Sequence, residues 1–153
     1  MRLYMILPVI FLLLLTGCQK ENRPEGMPKL TPVVLTFQQS GAPLSGAVVS
    51  LVPIDSANSR WNAGGTTDPQ GKLKVKTLAQ YDGAVPGKYK ITVIKTEREL
   101  LPEGMTMAER MKYKPKPPVE HAHKKYADKK STPLEVEVSD TSANPLSFEV
   151  DKP

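Results

Sequence analysis

"TTDPQGKLKVKT", residues 66–77, is the stretch that decides the fold. In its second half Leu73 and Val75 alternate with Lys72, Lys74 and Lys76. Successive side chains of a strand point to opposite faces, so this pattern predicts a strand with one face buried and one in water. Its first half supplies a bend. In "DPQG", residues 68–71, Pro69 stands second and Gly71 fourth, the pattern of a type I turn. A tight turn leading into a half-buried strand is the repeating unit of an antiparallel β protein.

The unit recurs on both sides. "VVLTF" (33–37) and "AVVSLVPI" (47–54) are rich in β-branched residues and flank the turn "QQSGAPLSG" (38–46). "KYKITVIK" (88–95) points Tyr89, Ile91 and Val93 to one side. "PLEVEV" (133–138) does so with Leu134, Val136 and Val138, and "LSFEV" (146–150) with Leu146, Phe148 and Val150. "DSANSRWNAGG" (55–65) reads as a loop. Six or seven short strands with turn residues between them predict an all-β fold, a single antiparallel Greek-key β-sandwich over residues 31–151. The 15 prolines and 10 glycines in 153 residues argue against long helices. A single cysteine leaves no disulfide within the chain, so packing must supply the stability.

Residues 97–130 interrupt the rhythm and read as a long insertion. "TMAERMKY" (106–113) predicts a short helix, because Thr106 and Glu109 have capping-box spacing. "KPKPPVEHAHKKYADKK" (114–130) is rich in proline and lysine. A structureless loop of this length is unusual in a compact domain. The expectation is that it lies across the sandwich, anchored by Leu100, Leu101, Met105, Tyr113 and Tyr126.

The start of the chain has a different character. Arg2 precedes an apolar run from Leu3 to Leu15, too short for a comfortable membrane span and interrupted by Pro8. This is the pattern of a secretory signal peptide over residues 1–17. Its end, Leu15-Thr16-Gly17-Cys18, resembles the lipobox of bacterial lipoproteins. That resemblance implies cleavage between Gly17 and Cys18 and a covalent lipid on the Cys18 sulfur, with no other cofactor expected. It also accounts for a lone cysteine, which once acylated has no thiol left to oxidise. Gln19 follows, where Asp would favour inner-membrane retention under the familiar sorting rule; the expected location is the cell envelope, leaning toward the outer membrane. Residues 18–30 contain "QKENRPEGMPKL", a polar tether from lipid to domain.

Three stretches carry a further resemblance. "SGAPLSGAVVSLVP" (40–53), "TTDPQGKLKV" (66–75) and "VPGKYKITVIK" (85–95) occur in order, followed by "YADKKSTPLEVEV" (126–138). Together they resemble the transthyretin-like, carboxypeptidase-regulatory-like sandwich found in a group of small bacterial lipoproteins. The shared pieces are turns and core strands, and none performs chemistry. The resemblance implies the sandwich fold and no peptidase activity. Some transthyretin-like proteins hydrolyse 5-hydroxyisourate with several histidines, an arginine and a Tyr-Arg-Gly-Ser-type ending. This chain ends "FEVDKP" and has two histidines, so it departs from that set.

The remaining candidates are weighed against plain structural roles. His121 and His123 would point the same way on a strand, a weak metal-ligand pair with Glu120 and Asp128 nearby; solvated histidines are the simpler reading. Trp61, the only tryptophan, either stacks on a partner or sugar, or folds over the sandwich end. Lys112, Lys114, Lys116, Lys124 and Lys125 belong to a basic stretch that is either a contact for an anionic membrane, polysaccharide or acidic envelope protein, or a solvated loop. With 21 Lys and Arg against 16 Asp and Glu, the chain is only mildly basic, and no nucleic-acid partner is expected. The sequence therefore predicts a lipid-anchored envelope module that binds or supports rather than catalyses. A transthyretin-like hydrolase and a His-dependent metal binder are the alternatives.

Overall fold

A computed structural model describes residues 23–141 and 145–153. In chain order its strands are β1 (Val34–Gln39), β2 (Ala42–Pro43), β3 (Val48–Pro53), β4 (Ala63–Thr66), β5 (Lys72–Lys74), β6 (Lys76–Thr77), β7 (Tyr81–Asp82), β8 (Gly87–Ile94) and β9 (Thr96–Glu97). Helix α1 (Met107–Lys112) follows, then β10 (Val119–Glu120), β11 (Glu135–Val138) and β12 (Leu146–Glu149). The fold is all-β and sandwich-like, and its sheets do not close into a barrel. One sheet has the order β11-β8-β3-β4-β6-β7, with every pairing antiparallel. The other is centred on β1, with β12 on one side and β2 and β5 on the other.

The predicted alternation holds at the core. Tyr89, Ile91 and Val93 of β8, Val49 and Leu51 of β3, Leu35 and Phe37 of β1, and Leu73 of β5 form one buried cluster. Leu134, Leu146 and Phe148, expected to be buried, are half-buried at its margin. Phe148 stacks on Phe37 with ring centroids 5.5 Å apart. Burying an aliphatic or aromatic side chain of this size contributes about 1.5–3 kcal/mol.

Three features depart from the sequence prediction. "KLKVKT" is not one strand: residues 72–74 pair with β1, whereas Lys76–Thr77 pair with β4 and β7 in the other sheet. The chain changes sheets at Val75, whose N–H donates to Val33 O (3.0 Å) and whose carbonyl accepts from Gly83 N–H (2.8 Å). The sandwich is not wholly antiparallel either, because β12 runs parallel to β1 from Leu35↔Leu146 to Gln38↔Glu149. These strands come from the two ends of the domain, so no short hairpin constrains their direction. The "loop" 55–65 contains the start of β4, masked in sequence by Gly64 and Gly65. Gly64 has φ +157°, and a Cβ there would lie 2.3 Å from Val49 O, so the close approach of β3 demands glycine.

Turn chemistry holds the sandwich end. Gly71 N–H donates to Asp68 O (2.9 Å), closing the predicted turn. Asp68 Oδ1 accepts from Gln70 N–H (2.9 Å) and Lys72 N–H (2.8 Å). Gly71 is buried with φ +73°, and its carbonyl accepts from Phe37 N–H (2.8 Å). Buried Thr67 ties in the 42–47 turn: its hydroxyl donates to Leu44 O (2.6 Å) and accepts from Ala47 N–H (2.9 Å). The β6–β7 turn is strained, because Leu78 and Ala79 both have positive φ (52° and 58°). Such mirror-image hairpin turns favour Asn-Gly.

Two stability predictions follow from the turns. Gly71→Ala combines a left-handed backbone with a Cβ only 2.4 Å from Phe37 O, and urea unfolding should show a loss of at least about 2 kcal/mol. Replacing Leu78-Ala79 by Asn-Gly should raise the unfolding free energy by about 1–2 kcal/mol. An unchanged urea midpoint in either variant would contradict the corresponding turn geometry.

Candidate functional site

The strongest candidate surface is built on the insertion, which packs on the sandwich only through its return segment, where Ala122 and Tyr126 enter the core. Immediately after β8, Thr96–Glu97 pairs antiparallel with Val119–Glu120, forming a two-stranded stem. His121 N–H donates to Lys95 O (2.8 Å), continuing the stem to the sandwich. The His121 Nε2 atom lies 3.0 Å from Glu97 Oε2 and braces it. Beyond the stem, a clasp closes the excursion. Glu99 Oε2 accepts from Lys116 N–H (3.0 Å). The backbone bond from Lys116, followed by the Tyr113 hydroxyl, holds the Glu99 carboxyl below its ordinary range. Burial, followed by the Glu99 carboxylate, pushes the Tyr113 hydroxyl up.

The clasp carries a tip that includes α1. Its capping box is formed as the sequence predicts: Thr106 Oγ1 accepts from Glu109 N–H (3.3 Å), and Glu109 Oε2 accepts from Thr106 N–H (2.8 Å). None of the helix residues is buried. Leu100 is 87% exposed, Met107 76% and Met111 83%; Leu101 is also exposed. The expectation that Leu100 and Leu101 anchor the insertion is therefore corrected. Met105 and Tyr113 are half-buried, and only Tyr126 among the five expected anchors enters the core. The stem is the reason: the chain leaves and returns through the β9–β10 pair, and none of residues 98–118 between its strands is buried.

The expected contact lysines divide between two roles. Lys112, Lys114 and Lys116 are exposed on the tip, beside Arg110. None of these four side chains takes part in the ion pairs found among the described residues. Lys124 is exposed on the 3₁₀ turn that returns the insertion to the sandwich. Lys125 is half-buried, pairs with Asp151 and covers the Tyr126 ring at 4.9 Å. Asp151 Oδ2 also accepts from the Tyr126 hydroxyl (2.9 Å), while Asp151 O accepts from His123 N–H (3.1 Å). The chain end thereby locks the base of the insertion.

Trp61 is 3% exposed, which matches the packing alternative of its two readings. It forms a second cluster with Leu30, Tyr81 and Val85, against which Met27 packs, and the Arg60 guanidinium lies 4.6 Å from its ring centroid. Leu30 and Met27 belong to the expected tether, so its last residues are docked. His123 Nδ1 accepts from Lys125 N–H (3.1 Å), a different engagement from that of His121. Among the described residues no three His, Cys, Asp or Glu side chains are grouped to hold a metal. Gly17 and Cys18 lie outside the described residues. No described helix is long and apolar enough to cross a membrane.

A concavity of about 750 Å³ lies beside β4, lined by Val48, Val52, Gly64, Lys74, Lys76 and Leu78 among others. It holds no histidine or acid and offers no acid–base pair. No protein-family model matches the chain, and no curated protein matches it.

The lock at Asp151 predicts a pH dependence. Its hydrogen bond from Lys125, then that from Tyr126, lowers the Asp151 pKa from 3.8. A carboxyl depressed by folding contributes stability above its unfolded pKa and loses it as pH falls through the folded value. An NMR titration should therefore place the Asp151 midpoint below 3.8. Asp151→Asn should remove that part of the acid destabilisation. A midpoint at or above the ordinary value would mean that the lock does not form in solution.

Proposed function

We propose that this chain is a lipid-anchored protein of the cell envelope, with a transthyretin-like sandwich serving as a non-enzymatic binding or structural module. Cys18 is the proposed attachment point, and the tip at residues 98–118 is the proposed contact surface. The observation that carries the reading is the tip: large apolar side chains and unpaired bases, exposed on a braced and clasped stem. Met107 and Met111 stand one helical turn apart on the same side of α1, and neighbouring exposed apolar side chains favour a partner that covers them. The ordered turn and strand motifs support the transthyretin-like reading, and the Leu-Thr-Gly-Cys sequence supports the anchor. The hydrolase alternative lacks convergent histidines, since His121 is engaged by Glu97 and His123 by the Lys125 backbone.

Photo-reactive residues at Leu100 and Lys116, with Lys76 as a sandwich control, test the surface in intact cells. Adducts should be enriched at the two tip positions. Equal labelling at Lys76 would remove the tip as a specific surface. In parallel, Cys18→Ser should abolish incorporation of labelled palmitate.

A further inference from the structure

The two ends of β8 place the proposed anchor and the tip at opposite poles. At the Gly87 end the tether docks: Thr31 pairs with Ala84, and Leu30 packs with Trp61 and Val85. At the Ile94 end β9 begins and the insertion leaves. Seven residue steps along β8 separate these ends by about 23 Å. A chain held only by residues 18–26 has a fixed distance limit but no fixed orientation. A second contact, at the far pole, would supply one.

The tip has the chemistry of a contact with anionic lipid. Leu100, Met107 and Met111 are exposed apolar groups of the kind that enter the headgroup–acyl boundary. Arg110, Lys112, Lys114 and Lys116 bring four positive charges within seven residues, with no acid among them. Over residues 98–118 as a whole, Arg98 joins these four bases against Glu99, Glu103 and Glu109, five bases to three acids, so the tip keeps a surplus of two positive charges. The surface is thus basic as well as apolar, complementary to phospholipid headgroups. The geometry permits both contacts at once. Eight residue steps from Cys18 to Gly26 span up to about 28 Å, enough for a sandwich of this size to lie on its side.

We infer that the 98–118 tip is a second membrane contact, which binds an anionic phospholipid surface and holds the anchored sandwich side-on. The inference rests on the proposed lipid anchor. One acyl attachment with a basic apolar patch gives a two-signal attachment, firmer than either alone. Because the anchor keeps the tip close, its effective concentration at the membrane is high and weak intrinsic binding suffices.

The test uses the mature lipidated chain carrying Met111→Cys, reconstituted in vesicles. Acylated Cys18 has no thiol, so an environment-sensitive thiol dye reports position 111 alone. A Ser59→Cys chain places the dye at the tether pole as a control. In vesicles of equal parts phosphatidylcholine and phosphatidylglycerol, the dye at 111 should shift to the blue and brighten relative to phosphatidylcholine alone. The Ser59 probe should stay water-like. Lys112→Gln with Lys114→Gln should lower the ratio of inserted to free tip roughly 30-fold. A water-like signal at 111 in both vesicles, or an equal response at 59, overturns the inference while leaving the anchor intact. Capture of a single protein at 111 in cells, with no vesicle response, would assign the tip to a protein instead. A second dye on Cys18, with no vesicle association, overturns the anchor and the two-point attachment together.

Discussion

The burial of the Tyr89–Ile91–Val93 face of β8 is the contact on which the rest of the molecule depends. These residues are 1%, 0% and 1% exposed. Placing them in the core fixes β8 between β3 and β11, in a register running from Val48↔Ile94 to Pro53↔Tyr89 on one side. The Tyr89 hydroxyl cannot be left dry. It donates to Val85 O at 2.5 Å, and burial pushes its pKa up to about 12. That bond also fixes the segment preceding β8, where Val85 joins Trp61 and the docked tether. One strand thus sets the core, the tether pole and the direction in which the insertion departs.

The opposite sheet is held by backbone groups that find partners across a corner. At Val75 the chain changes sheets without losing its inward face, because Val33 O and Gly83 N–H satisfy its own amide groups. Thr67 does comparable work at the other end. An apolar isostere there would leave Leu44 O and Ala47 N–H buried with one partner fewer, which costs about 1–3 kcal/mol for each group left unsatisfied. The "DPQG" turn brings Gly71 under Phe37, so the same turn that starts β5 also closes the end of β1. These short polar links let a chain without an internal disulfide keep two small sheets in register.

Much of this was legible in the sequence. Alternation identified the buried side of β5, β8 and β11, and Pro69 with Gly71 identified the turn. Alternation reports a face and not a partner, so it could not show that Lys72–Lys74 and Lys76–Thr77 belong to different sheets. Gly64 and Gly65 carry no side chain to alternate, which hid β4 inside an apparent loop. The same blindness affected the candidate surface. Leu100 and Leu101 read as anchors because apolar residues are usually buried, and only the Thr96–Glu97 pairing with Val119–Glu120 reveals that they are carried beyond the core. Met107 and Met111, four apart and so on one helical face, were the available signal for a contact surface.

The tip has little with which to hold its own shape. Helix α1 is six residues long, and isolated helices below about 12 residues are marginal in water. No buried side chain supports it. Its order rests on the Thr106–Glu109 capping box and on the Glu99 clasp, both exposed to solvent. Exposed hydrogen bonds of this kind contribute modestly, so the tip belongs to the low end of the local stability range. Methionine fits that situation, because its unbranched thioether adapts to irregular apolar surroundings. An apolar surface covering Met107 and Met111 would supply the burial that the sandwich does not. The stem provides what an adaptable tip needs: β9 and β10 fix where it begins and ends, and the Lys125–Asp151–Tyr126 lock ties the base of the insertion to the core.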